Sequence, residues 1–191
     1  MRRTIRTLLL TGVTAAATMH AQTPRAARHE VDLAFSYQAQ RSNTTAGHNF
    51  WLQGGGAELS AGIYRGLGFA MNLSGGTTKN IQNTGVDLST FTATFGPRYT
   101  WHSDRGRVAV FGQCLIGEAH GFNSVFPSPQ GATATFDTFA LQVGGGIDLR
   151  VAKHFAVRPL QADWVRTQFP NSTTGVQNNL RLGAGVVLRI R

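Results

Sequence analysis

The chain has almost no cysteine and no long apolar segment, and each shortage excludes a class of structure. Its one cysteine, Cys114, cannot form a disulfide within the chain, so no disulfide framework holds the fold together. A membrane-spanning helix needs about 20 consecutive, predominantly apolar residues. No such run follows residue 21, which excludes helical membrane spans from the rest of the chain.

Acidic residues are also scarce, but the resulting positive charge does not indicate nucleic-acid binding. The chain has 18 Lys and Arg against 9 Asp and Glu, a net charge of +9. These basic residues are scattered, and no stretch interleaves them with stacking aromatic residues. We therefore expect them in loops, turns and the interior of the fold, and we expect no nucleic-acid partner.

No arrangement of residues predicts catalysis, a cofactor or a metal. The six histidines are dispersed and lack metal-ligand spacing. His102-Ser103-Asp104 contains catalytic residue types, but consecutive residues rarely reach the geometry of a triad. The glycine clusters 54–56 and 144–146 are not phosphate loops, because no helix follows them. They predict kinks or close packing of strands instead.

The N-terminus has the order of an export signal. Three arginines lie within the first six residues, the apolar stretch 8–17 follows, and small residues lead to Ala21. The apolar stretch is too short to span a bilayer. The sequence therefore predicts a cleavable signal peptide over 1–21, with cleavage after Ala17 as the alternative, and one β-barrel domain over 22–191.

Runs of alternating apolar and polar residues recur after residue 29, and this period of two is typical of strands with one apolar face. The last run is the clearest, with apolar residues at every second position from Leu180 to Ile190. We place strands at about 29–40, 49–63, 67–74, 86–101, 107–117, 136–149, 155–167 and 178–191.

Two strands have an uncertain register. In the fifth, Val110, Cys114 and Ile116 form one candidate outer face together with Val108. The seventh changes phase at Arg158-Pro159, where a proline that cannot donate a ladder hydrogen bond predicts a β-bulge. An error of one residue in either register would exchange the two faces of that strand.

The connections alternate between long polar segments and short turns, which predicts an up-and-down topology. A sheet in lipid has to close, because open edges would leave backbone groups unsatisfied. We therefore predict an all-β fold, an eight-stranded antiparallel up-and-down transmembrane β-barrel. An even strand number places both termini and the short turns in the periplasm. The long, extracellular connections are 41–48, 75–85, 118–135 and 168–177.

The alternation also assigns residues to the two faces of the barrel. Aromatic residues next to the short turns and near the long loops predict two membrane-interface girdles. The first girdle has Tyr64, Trp101 and Phe155, and the second has Trp51, Phe136 and Trp164. Five charged residues face the lumen, where a salt-bridge network is favoured over a gate. They are Glu58, Arg98, Asp148, Asp163 and Arg181.

On this pattern the chain resembles the small eight-stranded outer-membrane barrels of the OmpA, OmpX and opacity-protein type. The resemblance implies an outer-membrane location and contact with outer-membrane lipids and lipopolysaccharide. It also implies that the barrel-assembly machinery recognises the final strand, 178–191. Such barrels usually end in an aromatic residue, whereas this chain ends in Arg189-Ile190-Arg191.

Our first functional hypothesis is a non-enzymatic outer-membrane barrel with a structural or adhesin-like role. Its four extracellular loops would contact an unknown extracellular ligand, with Phe122, Phe126 and Phe169 as contact points. The alternatives are a narrow, porin-like solute channel and a barrel hydrolase acting on lipid A. A secreted, soluble lipocalin-like barrel is a further alternative, because parity alone does not say which face lies inside.

Overall fold

The computed structural model describes residues 30–42, 49–81, 85–128, 131–170 and 175–190. The predicted signal peptide lies outside these residues. Eight antiparallel strands form a closed barrel in which each strand pairs with its neighbours in sequence and β1 pairs with β8. The strands are β1 Val31–Ser42, β2 Phe50–Tyr64, β3 Leu67–Thr78, β4 Leu88–His102, β5 Val108–Phe122, β6 Phe136–Ala152, β7 Phe155–Thr167 and β8 Gln177–Ile190. No helix in the described ranges is long and apolar enough to cross a membrane.

All eight predicted strands are present, and the predicted fold is confirmed. Several strands extend further than the alternation indicated. β3 reaches Thr78 instead of about residue 74, and β5 reaches Phe122 instead of about residue 117. These extensions carry polar or glycine-rich sequence, so the apolar alternation fades while backbone pairing continues. The long connections are correspondingly shorter than predicted.

The apolar face of the sheet lies outside and the polar face inside. On β5, Val110 and Ile116 are exposed while Leu115 is completely buried, which confirms the predicted outer face of that strand. The barrel interior contains buried charged and amide side chains instead of an apolar cavity. This contradicts the soluble lipocalin-like alternative, which requires the apolar face inside.

The outer surface is an apolar belt bounded by polar residues at the long-loop end. On β8 the belt runs from Leu180 to Ile190, a length within the range for a tilted membrane strand. Exposed polar side chains replace apolar ones at the long-loop end of several other strands. Examples are Gln53, Thr77, Glu118, Asp137 and Arg166.

The predicted β-bulge in β7 is confirmed. The pairing of β7 with β8 shifts between Arg158 and Gln161, so Pro159 and Leu160 both lie outside the barrel. Because proline has no backbone N–H, it occupies a position where the ladder is already interrupted. The bulge keeps Arg158 on the inner face together with Gln161 and Asp163.

The glycine cluster at 144–146 marks close packing of strands, as predicted. A Cβ atom on Gly144 would lie 2.6 Å from the Cα atom of Asp163 and would also collide with the carbonyl oxygen of Ala162. Both obstacles involve the backbone of β7, which cannot move without breaking the ladder. Gly112 is different, because a Cβ atom there would be 3.9 Å from the nearest atom, the carbonyl oxygen of Gly144.

We therefore predict that Gly144→Ala lowers the free energy of unfolding by about 1–3 kcal/mol, as overpacking does. The matched variant Gly112→Ala should change it by less than about 0.5 kcal/mol. Urea titration of both variants after reconstitution in lipid vesicles measures this difference. Equal stability of the two variants would show that β6 and β7 are not this closely packed.

Candidate functional site

The centre of the barrel holds a cluster of four buried charges from four strands. Glu58 on β2 and Asp148 on β6 are the anions, and Arg98 on β4 and Arg158 on β7 are the cations. Each is at most 4% exposed. We call these four residues the central cluster. Its two positive and two negative charges balance, which satisfies the requirement that buried charges be paired.

Arg158 makes the most extensive contacts in the central cluster. Its Nε and Nη2 atoms donate to the two carboxylate oxygens of Asp148 at 2.7 and 3.1 Å. This bidentate arrangement suits the planar guanidinium group. Its Nη1 atom donates to Oε1 of Glu58 at 2.8 Å, and Arg98 Nη1 donates to the same oxygen at 2.5 Å. Glu58 therefore links the two arginines.

Neutral side chains complete the hydrogen bonding of the central cluster. Gln113 and Asn72 donate to Oε2 of Glu58 at 2.9 and 3.3 Å. The ring of Phe111 packs against both cations, with its centre 3.6 Å from the guanidinium carbon of Arg98 and 4.4 Å from that of Arg158. Through these cation–π contacts the ring covers one side of the two guanidinium groups.

Asp163 and Arg181 lie outside the central cluster, nearer the long-loop end. They face each other across β7 and β8, but the described side chains form no direct ion pair between them. Asp163 accepts a hydrogen bond from Gln161 at 2.8 Å. Arg181 donates to Ser74 at 2.7 Å and to Gln40 at 3.1 Å. The five predicted lumen residues are thus all buried, and three of them belong to the cluster.

A small cavity adjoins Arg181. Its volume of about 10 Å³ is about that needed for one water molecule. Its lining includes the polar side chains of Gln38, Gln40, Ser74 and Thr92, together with Leu52 and two glycines. The cavity has no room for a solute.

Above this cavity, an apolar plug fills the long-loop end of the lumen. Phe126 and Phe169 come from two different loops and stack with ring centres 5.5 Å apart. Phe136 packs against Phe126 at 6.2 Å. The other buried members of the plug are Phe50, Leu52, Ile81, Leu88, Ala119 and Ala140.

Hydrogen bonds hold the plug residues in place. The Gln177 side chain accepts from the backbone N–H of Phe169 at 2.8 Å and donates to its carbonyl oxygen at 2.7 Å. Phe126 forms a backbone bridge with Thr133, with both hydrogen bonds at 2.9 Å. Phe169 is therefore tied to the start of β8, whereas the bridge to Thr133 closes the loop that carries Phe126 on itself.

The plug corrects two predictions. Phe126 and Phe169 were expected as exposed contact points, but both are buried, because their loops fold back into the mouth of the barrel. Phe136 was expected in the outer girdle, but it faces inward and packs against the plug. Phe122 is half-buried, and its ring stacks on His120 with centres 5.7 Å apart.

Most of the other predicted girdle residues are exposed on the outer surface. Tyr64 and Trp101 lie beside the short turns, and Trp51 and Trp164 lie toward the long-loop end. Phe155 is half-buried on the outer face of β7.

Two features of the site were not predicted. Arg158 was placed at a change of phase and assigned to neither face. The outward parity of Phe155 and Val157 before the bulge could have identified it as an inner residue. The second feature is a hydrogen-bonded pair between His120 and Asp137 on the outer surface of β5 and β6. In the described part of the chain, no serine or threonine hydroxyl is hydrogen-bonded to this histidine.

Comparison with solved structures gives the fold. Neisserial surface protein A (NspA) matches with a TM-score of 0.62 and 12% identity, over 87% of this chain and 100% of that one. OprG, an outer membrane protein of Pseudomonas aeruginosa, matches with a TM-score of 0.57 and 8% identity, over 86% and 97%. Ail, the attachment invasion locus protein of Yersinia pestis, matches with a TM-score of 0.55 and 16% identity, over 84% and 99%.

This is the fold of the small outer-membrane β-barrels. No protein-family model and no curated protein sequence matches the chain. The outer-membrane barrel fold is therefore shared at low sequence identity, and the likeness lies in the arrangement of the strands.

We predict that Glu58→Gln lowers the free energy of unfolding by about 3–5 kcal/mol, because it leaves two buried arginines with only one carboxylate. Glu118→Gln is the matched control, since Glu118 is exposed on the outer face of β5. It should change stability by less than about 0.5 kcal/mol.

Both variants are compared by urea unfolding in the same lipid vesicles, monitored by tryptophan fluorescence. If Glu58→Gln were as stable as Glu118→Gln, the central cluster would not contribute to holding the barrel together.

Proposed function

We propose that this chain is a non-enzymatic outer-membrane barrel with a closed lumen, and that its long loops form a surface for recognition. The observation that carries the proposal is the combination of an apolar outer belt with an interior filled by side chains. Such a barrel has no open path through its centre, so the polar groups that a partner can reach lie at its two ends.

The outer surface supports insertion into a membrane. Large exposed apolar residues cover the barrel wall, which in water would be an unfavourable apolar patch of great extent. Aromatic side chains lie toward both ends of the belt, where amphipathic rings are favoured. An even number of strands puts both termini on one side of the membrane. Outer-membrane barrels have short turns in the periplasm and long loops outside the cell, and we propose the same orientation here. The outer part of the belt would then contact lipopolysaccharide.

The channel alternative has two obstacles inside the barrel. At the centre, a solute would have to separate Arg158 from the two oxygens of Asp148, both contacts being buried. At the long-loop end, it would have to displace the stacked rings of Phe126 and Phe169. An eight-stranded barrel is just wide enough for side chains to fill it. A closed lumen is therefore the favoured state.

The loop surface that remains for recognition is polar and electrically balanced. Among the described residues of the long-loop end, three cations accompany three anions. Ail has been crystallised with the heparin analogue sucrose octasulfate, but this balance gives no basis for a sulfated ligand here. Val125, 61% exposed, is the main large apolar side chain in the described loops. We infer that a ligand is recognised mainly through the Asn, Thr and Ser side chains of the loops.

The hydrolase alternative has little support. His120 and Asp137 could orient and polarise one another, but covalent hydrolysis by such a pair also needs a nucleophile within hydrogen-bonding reach. A null result in a mass measurement of lipid A, made on cells that express the chain, supports the non-enzymatic proposal. Loss of an acyl chain would contradict it.

We predict that expressed protein enters the outer-membrane fraction and migrates differently on gels before and after boiling. Its N-terminal residue should be Gln22, because the signal peptide ends at Ala21. A soluble periplasmic protein without a heat-dependent shift would contradict the membrane proposal.

We also predict that the purified barrel produces no conductance steps in planar lipid bilayers beyond those seen when protein-free vesicles are added. The physical reason is that both the central cluster and the apolar plug block the lumen. Regular steps from folded, heat-modifiable protein would favour the channel alternative.

A further inference from the structure

The net positive charge of the barrel is concentrated at one end. In the described part of the chain, the lumen holds three cations and three anions, and so does the long-loop end. The short-turn end has six cations, which are Arg65, Arg105, Arg107, Arg150, Lys153 and Arg189. Its three anions are Glu30, Asp32 and Asp104. We call this end, with its six cations, the basic end.

The three anions of the basic end are fewer than its five exposed cations, and two of the three lie beside other groups. Asp32 lies 3.9 Å from Arg189, the least exposed of the six cations, and Glu30 lies 3.7 Å from His102. The other five cations are exposed. They therefore form a solvent-facing surface of positive charge.

Two of these cations are held in place at the turns. Arg150 donates to the carbonyl oxygens of Ala152 and Lys153 at 3.3 and 3.2 Å. The guanidinium carbon of Arg65 lies 5.0 Å from the centre of the Tyr64 ring. Fixed cations lose less side-chain entropy when they bind a partner than freely rotating ones.

The cations lie just beyond the apolar belt and are spread around the barrel. Arg65 follows Tyr64, Arg105 lies close to Trp101, and Lys153 precedes Phe155, so each turn joins a cation to an aromatic residue of the belt. Aromatic rings of this kind mark the level of lipid headgroups. Cations distributed over three turns at that level match a ring of separate headgroups better than one compact ligand.

We propose that the basic end binds anionic phospholipid headgroups of the periplasmic leaflet, such as phosphatidylglycerol, in a ring around the barrel. The inference rests on the proposed function, because insertion with the short turns in the periplasm is what places these cations at that leaflet. Basic residues next to a membrane are attracted to anionic lipid, and salt screens the attraction.

The three tryptophans of the chain allow a direct test. Trp101 lies at the basic end, whereas Trp164 lies in the other half of the belt. One variant keeps only Trp101 (Trp51→Phe, Trp164→Phe) and the other keeps only Trp164 (Trp51→Phe, Trp101→Phe). Each is reconstituted in phosphatidylcholine vesicles that contain an equal fraction of brominated phosphatidylglycerol or brominated phosphatidylcholine. Bromine quenches tryptophan fluorescence only at close range. The degree of quenching therefore reports how often the brominated lipid lies next to that tryptophan.

We expect Trp101 to favour phosphatidylglycerol over phosphatidylcholine about threefold or more at low salt, and Trp164 to show a ratio near one. High salt should abolish the preference at Trp101. So should the combined substitutions Arg65→Gln, Arg105→Gln, Arg107→Gln and Lys153→Gln. Arg41→Gln with Arg166→Gln, at the long-loop end, is the matched control and should leave the preference unchanged. Lipid composition is the same in both leaflets, so the orientation of the barrel does not affect the comparison.

Equal ratios at Trp101 and Trp164 would overturn the inference while leaving the proposed function intact. No quenching of Trp164 by brominated phosphatidylcholine would show that the barrel is not inserted, which would overturn the proposed function itself. Isolated cell-wall sacculi are the competing partner. If they were the true partner, the reconstituted barrel would cosediment with sacculi, lose that cosedimentation in the four-substitution variant, and show no lipid preference at Trp101. This combined result would overturn the inference in favour of a cell-wall polymer.

Discussion

When β1 pairs with β8, the last open edge of the sheet disappears, and the other features of the structure depend on that closure. A closed sheet satisfies its backbone hydrogen bonds without water, which is what an apolar environment demands. Closure also divides the side chains into an outer and an inner set with no intermediate choice. Apolar residues outside and polar residues inside are then two aspects of one constraint.

The inner set is a core, although it is made mostly of polar groups. Arg158 pairs with Asp148 and Glu58, and Phe111 packs against the two guanidinium groups. Nearer the long-loop end the core becomes apolar, around Phe126 and Phe169. This gradient from ionic centre to aromatic mouth explains why the barrel can be stable without a continuous hydrophobic interior. It also leaves the two ends of the barrel, and not the lumen, as the polar surfaces that a partner can reach.

The sequence allowed the strands, their faces and five buried charges to be predicted, because a period of two is a local signal. Arg158 was missed because the bulge at Pro159 breaks that period. The alternation before the bulge and the alternation after it then assign opposite faces to the residues at the break. Phe126 and Phe169 were assigned to the surface because loop composition does not encode the direction in which a loop folds. Their burial depends on contacts between residues more than 40 positions apart, for which the alternation carries no information.

The central cluster draws its four charges from β2, β4, β6 and β7, so no pair of adjacent strands can neutralise it completely. A sheet that closed in a register shifted by one residue would point some of these charges toward lipid and leave the others alone inside. Because an unpaired buried charge costs free energy, the cluster disfavours such a register. A single polar residue at a buried position fixes the register of a coiled coil by the same physical principle.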